Sequence, residues 1–292
     1  MRRVFAALLA VLMFLPLGAT VAAQGATPSA ALAAYPEVAV TLTDSDIQVA
    51  SVQIPAGYIR LTVTNSGSDE NGVGLLAVPE GTSLDAMSQA TPEPGNFIPP
   101  FFYSDTVAGG VGLLPGETVS QVVKVDPGQW LMFAEGDQQP VPVTVAESGD
   151  SVMDAPVADA TITEMDFSFG GVDTLAAGPQ VLAVTNEGQQ PHMFDFFQVP
   201  DGTTMEQVQA TLSTPDNATP APGGLQESDI TMVSGGQVLM QSSGTTVWMD
   251  VDLQPGTYVL VCFVIDPATG MPHAMEGMVS LFQVGAAATP AS

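Results

Sequence analysis

Between Cys262 and Met278 the chain reads CFVIDPATGMPHAMEGM, gathering its only cysteine, one of its two histidines and a methionine soon after that histidine. The other histidine, His192, stands in VTNEGQQPHMFDF, where a strand end, an Asn-Glu-Gly turn and a returning strand follow one another. Two imidazoles, a thiolate and a thioether form a soft donor set that selects copper. In a trigonal arrangement with a weak axial methionine, it is the set used for electron transfer. Each residue alone has a plainer reading. Cys262, on TYVLVCFV, is a small buried hydrophobe and Met278 a filler of core gaps, while His192 is a core or turn histidine. Their coincidence in a chain with no other histidine or cysteine favours the metal.

These residues resemble the cupredoxins, the plastocyanin-like blue copper proteins, whose pattern is an N-x-G turn, then His, then Cys, His and Met around one late loop. Asn186 and Gly188 supply the turn, and VSLFQV after Met278 supplies the family's final strand. The resemblance implies one type 1 copper per chain, with Cys262, His192 and His273 in the trigonal plane and Met278 as the long axial ligand. It also implies that the outer edge of His273, flanked by Met271, Pro272 and Met275, is the port for the electron. The spacing of His273 to Met278 matches plastocyanin. The stretch from Cys262 to His273 is longer than in plastocyanin or azurin and nearer to copper nitrite reductases, and its Asp266-Pro267 and Thr269-Gly270 pairs are turn formers. Either the extra length folds out as a small excursion that returns His273, or the fold has survived without its copper.

The elements that must position these ligands are short strands. VAVTLTDSDIQV, YIRLTVTN, GLLAVP, VSQVVKV, QWLMFAE and VPVTVA in the first half are answered by ATITEMDFSF, QVLAVTN, HMFDFFQVP, TTVWMDVDL, TYVLVCFV and MVSLFQV in the second. Such alternation and turn spacing indicate β-sandwiches. The halves align as a repeat through Val-Thr-Asn, Val-Pro-acid-Gly-Thr and the pair VDPGQWLMFAEGD and LQPGTYVLVCFVID, which points to duplication of a whole domain. The chain is expected to be all-β, two Greek-key cupredoxin-like sandwiches in tandem. The expected boundaries are a flexible segment at 24–36, a first domain at 37–146, a linker at 147–156, a second domain at 157–284 and a tail at 285–292. In the alignment Asn71 stands opposite His192 and Ala134 opposite Cys262, so the first domain is read as a scaffold or docking module without copper. One short helix per domain is expected, with capping-box spacing at Thr203 and Glu206 and an echo at Thr82 and Asp85. The Gly-Gly pairs at 109–110, 170–171, 223–224 and 235–236 read as turns, and Asn217-Ala218-Thr219 is a sequon of little weight.

Arg2 and Arg3, an apolar run to Leu17 and Val21-Ala22-Ala23 read as a secretory signal, residues 1–23, cleaved after Ala23. The expectation is therefore a secreted or periplasmic protein, and no other stretch is apolar enough to span a membrane. After cleavage Arg60 and Lys124 remain against 31 acids, and 2 − 31 gives a formal charge of −29. Nucleic acid and anionic membranes are disfavoured partners. A basic redox protein such as a cytochrome suits this charge, although a well-solvated secreted surface or adaptation to salt is the plainer explanation. No enzyme is expected. The copper oxidases and nitrite reductases that share this architecture need further histidines, and HExxH, Gly-x-Ser-x-Gly and phosphate-binding glycine loops are missing from the sequence. The leading reading is a single-electron carrier. The alternatives are Cu(I) storage or delivery through Met193, Met271, Met275 and Met278, and a metal-free module that binds a partner through its acidic face.

Overall fold

The computed structural model describes residues 28–83, 87, 99–136, 138–147, 153–214 and 222–285. The signal sequence, the sequon, most of the expected helix after Thr82, half of the expected linker and the tail beyond Gly285 lie outside these residues. The first repeat contributes β1 (Glu37–Leu42), β2 (Ile47–Val49), β3 (Gln53–Pro55), β4 (Gly57–Asn65), β5 (Asn71–Ala77), β6 (Val107–Leu113), β7 (Thr118–Val125), β8 (Gly128–Ala134) and β9 (Val141–Ala146). The second contributes β10 (Ala160–Met165), β11 (Ser168–Gly170), β12 (Gly178–Asn186), β13 (His192–Val199), β14 (Thr231–Gln241), β15 (Thr246–Leu253), β16 (Gly256–Val261) and β17 (Val279–Val284). The described α-helices include α1 (Ala30–Ala33), α2 (Phe101–Ser104) and α3 (Met205–Leu212). Among the described residues no helix is long and apolar enough to cross a membrane.

The chain is all-β, with the two-sheet sandwich that the resemblance to cupredoxins implies. Strand β4 shows why: its side chains alternate, with Ile59, Leu61 and Val63 buried and Arg60, Thr62 and Thr64 on the other face. That period of two gives the sheet one apolar and one polar side. On the polar side Thr62 and Thr64 meet Ser120 and Thr118 of β7, each at 2.9 Å, and Thr185 meets Thr246 at 3.0 Å in the second repeat. Such cross-strand hydroxyl pairs hold register. Between the sheets one apolar core runs through both repeats, from Ile59 and Leu75 to Phe194 and Leu260.

Both sheets pass through both repeats without interruption. One has the order β11-β10-β12-β15-β7-β4-β1-β2, the other β17-β16-β13-β14-β6-β5-β8-β9-β3. The junctions are therefore β7 with β15 and β6 with β14, each a pair of repeat-equivalent strands running antiparallel. Gln121 lies opposite Met249, and 249 − 121 is 128, the same offset that separates Cys262 from Ala134 (262 − 134). A local two-fold axis thus passes through Gln121 and Met249, and the repeats meet as the subunits of a symmetric dimer would. Across the core at this axis, Gln121 Nε2 donates to the Gln237 carbonyl at 2.6 Å.

Three sequence expectations change here. The glycine pairs at 109–110 and 235–236 lie inside β6 and β14 rather than in turns. A Cβ on Gly110 would run into the Val73 backbone, and one on Gly236 would come within 2.9 Å of Val233. These glycines permit a close approach of chains rather than a reversal. The capping box of α3 is one residue later than expected: Thr204 accepts from Gln207 N at 3.3 Å, and Gln207 Oε1 accepts from Thr204 N at 3.0 Å. The segment read as flexible at 24–36 is built from Pro28 onward, where Leu32 and Tyr35 pack on Val181 and Trp248 and Ser29 N donates to Asp250 at 2.8 Å.

Candidate metal centre

Asn186, the last residue of β12, builds the turn that delivers His192. Its Nδ2 donates to the carbonyls of Gln190 (2.8 Å) and Gln241 (3.0 Å), and its Oδ1 accepts from Gly188 N at 2.9 Å. Asn65 makes the corresponding three bonds in the first repeat, to Asp69 (2.9 Å), Leu113 (3.2 Å) and Gly67 N (2.9 Å). The repeat therefore supplies the scaffold of the turn, and only the second copy places an imidazole at its end.

Cys262 follows β16 directly. The stretch up to His273 folds out as a narrow hairpin, with an Ile265 to Pro272 bridge and an Asp266 turn in which Gly270 N donates to Asp266 O at 2.8 Å. His273 N donates to Val264 O at 2.8 Å and Ala274 N to Cys262 O at 2.8 Å, so the excursion closes and His273 returns beside Cys262. The 3-10 turn His273–Glu276 ends at Gly277, whose φ of 115° is in the left-handed region, and the chain then enters β17 through Met278.

Three donor atoms converge. His192 Nδ1 and His273 Nδ1 are 3.1 Å apart, and Cys262 Sγ is 3.8 Å from the first and 3.5 Å from the second. All three side chains are fully buried. A point equidistant from the three lies about 2.0 Å from each, close to the roughly 2.0–2.3 Å of metal bonds to imidazole nitrogen and thiolate sulfur. The outer nitrogens explain why the inner ones are bare. His192 Nε2 is 3.2 Å from Asp166 Oδ1 and His273 Nε2 is 3.1 Å from Gln190 Oε1, so both rings donate outward. Both Nδ1 lone pairs then face the sulfur and each other, an arrangement that a cation relieves. Met278 is buried with Cys262 in one apolar cluster that also holds Met193, whereas Met271 and Met275 lie at the surface, 41% and 42% exposed.

Electrostatics agree with this geometry. Burial, then the neighbouring His273 ring, pushes His192 down to about 4, against the pull of Asp166. Burial also lowers His273, and it raises the Cys262 thiol well above its ordinary range, with the Glu164 carboxylate adding to the effect and the Met193 N–H, 3.4 Å from Sγ, opposing it. Burial works to raise the Asp166 carboxyl too, but the N–H groups of Gln190 and Gln189 and the His192 ring hold it below the usual range. The imidazoles are thus neutral, as metal ligands must be.

Asp166, Phe167 and Gln190 are site residues that composition and spacing did not single out. ATITEMDFSF, read as one strand, breaks at Asp166-Phe167 into β10 and β11. Asp166 accepts from Gln189 N (2.9 Å) and Gln190 N (3.1 Å) as well as from His192. Phe167, at a φ of 65° that non-glycine residues seldom adopt, sets its ring edge-on to His273 with centroids 5.2 Å apart. The repeat held a signal for Asp166, since Asp44 follows β1 in the same way and accepts from Ser68 N at 2.6 Å. A Cβ on Gly188 would lie 2.5 Å from Asp166 Oδ1 and 2.7 Å from His192 Nε2, so the Asp166 to His192 pair requires glycine there. The expected port is corrected by the same residues. His273 has no exposed edge, because Gln190 and Phe167 cover it.

Among its described residues the first repeat has no such centre. Asn71, opposite His192, accepts from Gly72 N at 2.8 Å and Gly136 N at 3.3 Å, and Ala134 occupies the place of Cys262 in a matching register: Gly74 pairs with Phe133 as Asp195 pairs with Val261.

No family model and no curated protein matches the sequence. Among solved structures the chain is similar to auracyanin from the photosynthetic bacterium Roseiflexus castenholzii, at 15% identity over 38% of this chain and 96% of that one, with a TM-score of 0.28. It is similar to the McoA multicopper oxidase of the hyperthermophile Aquifex aeolicus at 12% identity, over 88% and 68% of the two chains and a TM-score of 0.26. The copper nitrite reductase of Nitrosomonas europaea follows at 10% identity, 85% and 94% coverage and a TM-score of 0.23. At these scores the likenesses carry no weight in assigning function, which rests on the donor atoms and their surroundings.

Proposed function

We propose that the protein carries single electrons, outside the cytoplasm, through one type 1 copper that Cys262, His192, His273 and Met278 would hold. The observation that carries this reading is the triangle of Sγ and two Nδ1 atoms, 3.1 to 3.8 Å on a side, with both outer nitrogens tied to acceptors. Copper in such a set would supply a one-electron couple whose potential the thioether and the hydrogen bonds at sulfur tune. The chain's own part is to keep the donors in place and dry. Asp166 and Gln190 fix the two rings, the Met193 N–H points at the sulfur, and the apolar cluster around Cys262 and Met278 excludes water. Rigid, pre-set ligands lessen the rearrangement that accompanies an electron's arrival.

Catalysis is not part of this reading. Both histidines of the chain are spent on one centre, leaving none for a second, substrate-binding metal. The acidic surface favours a basic redox protein such as a cytochrome as partner, and the signal sequence at 1–23 favours secretion or the periplasm. Voltammetry of the copper-loaded mature protein tests the proposal: one reversible one-electron wave supports it, and tight Cu(I) binding without reversible cycling contradicts it.

A further inference from the structure

We propose that Tyr103, from the ligand-free first repeat, is a positioning residue for the metal-binding loop of the second, so that the centre is complete only when both repeats are present. This rests on the reading of Cys262 to Met278 as a ligand loop. The Tyr103 hydroxyl, on α2, donates to the Ile265 carbonyl at 2.7 Å, a bond between residues 162 positions apart in sequence. Ile265 is in the outgoing arm of the hairpin and bridges to Pro272, the residue before His273. Val264, its neighbour, accepts from His273 N at 2.8 Å. A bond that holds Ile265 therefore holds the base of the arm from which His273 hangs.

The surroundings of Cys262 point the same way. Leu76, Phe102, Val107 and Leu131 of the first repeat share one buried cluster with Cys262, Val264 and Met278 of the second. Phe101, Tyr103 and Phe133 pack against it. Beyond the Asp266 turn the hairpin is tied mainly to itself, through Ala268 N to Asp266 Oδ1 (2.9 Å) and Asp266 N to Met271 O (2.8 Å). Tyr103 supplies a fixed external point. The first repeat thereby gains a role that needs no ligands of its own: it walls one side of the centre and anchors the loop that is longer than plastocyanin's.

The alternative is that Tyr103 only fills space. Tyr103→Phe separates the two, since it keeps the ring and removes the hydroxyl. In the metal-free protein, hydrogen exchange at the amides of Asp266, Gly270, His273 and Ala274 is expected to quicken about 2- to 10-fold, the range that one net hydrogen bond supports. Amides of β12 and β15 should be unchanged. Copper loaded into this variant is expected to dissociate faster by a similar factor. Tyr103→Ala, which also opens the wall, should add a loss of global stability. Loop amides that exchange at the wild-type rate in Tyr103→Phe would overturn the proposal, and so would an equal acceleration of loop and core amides. If the loop amides alone quicken but no blue copper forms, the anchoring by Tyr103 stands and the copper reading fails.

Discussion

Glu164 is fully buried, and among the described residues no cation pairs with it. Its Oε2 accepts from Gln241 Nε2, and its Oε1 has no hydrogen-bond partner among the described residues. Burial pushes its carboxyl from 4.5 up to about 8, with the Asp195 charge adding to the effect and the Gln241 hydrogen bond opposing it. The native state therefore keeps a proton that the unfolded chain loses above about pH 4.5. The resulting penalty is absent below that pH, grows as pH rises, and levels off near pH 8. At pH 7 the gap is roughly 2.5 pH units, and at about 1.36 kcal/mol per unit the protein forfeits about 3 kcal/mol. Glu164→Gln keeps the shape and the acceptor for Gln241 without the titration. Urea unfolding of the metal-free proteins should find the variant about 3 kcal/mol more stable at pH 7 and within about 1 kcal/mol of the wild type at pH 4.5. Asp195, raised by burial to about 7, and His192, lowered to about 4, titrate in both proteins, so only the repulsion between Asp195 and Glu164 differs between them. A stability difference that stays constant from pH 4.5 to 8 would refute the reasoning.

Two further substitutions test the scaffold. Gly188→Ala places a methyl 2.5 Å from Asp166 Oδ1 and 2.7 Å from His192 Nε2. Metal affinity measured by competition with a chelator should fall about 10- to 100-fold, as when an outer partner of a ligand is lost, and an unchanged affinity would show that Asp166 does not orient His192. Gln121→Leu removes the 2.6 Å bond to the Gln237 carbonyl at the axis between the repeats. Losing that buried bond should cost about 0.5–1.5 kcal/mol in denaturant unfolding, and no loss would mean that the junction does not depend on it.

The three clustered donors were legible because Cys262, His192 and His273 exhaust their residue types, so type alone marked them. Their outer partners were hidden for the opposite reason: Asp166 is one of 31 acids and Gln190 stands in a run of polar residues. The repeat alignment placed Asn71 and Ala134 opposite His192 and Cys262, and the strand register agrees. The seam between the halves escaped it. Both strands of one junction, β6 and β14, carry a Gly-Gly pair, and in a sequence such a pair signals a turn whether the chain reverses or merely lets another backbone come close. Phe167 was hidden as well, because an aromatic residue at positive φ contradicts local preference and is held by its neighbours.

The most direct test of the central claim is a visible and EPR titration of the mature protein with Cu(II), with Cys262→Ala alongside. The account predicts an intense thiolate-to-copper band and narrow copper hyperfine splitting, saturating at one copper per chain and lost in the variant. A protein that stays colourless under Cu(II), or a variant that keeps its colour, would contradict it.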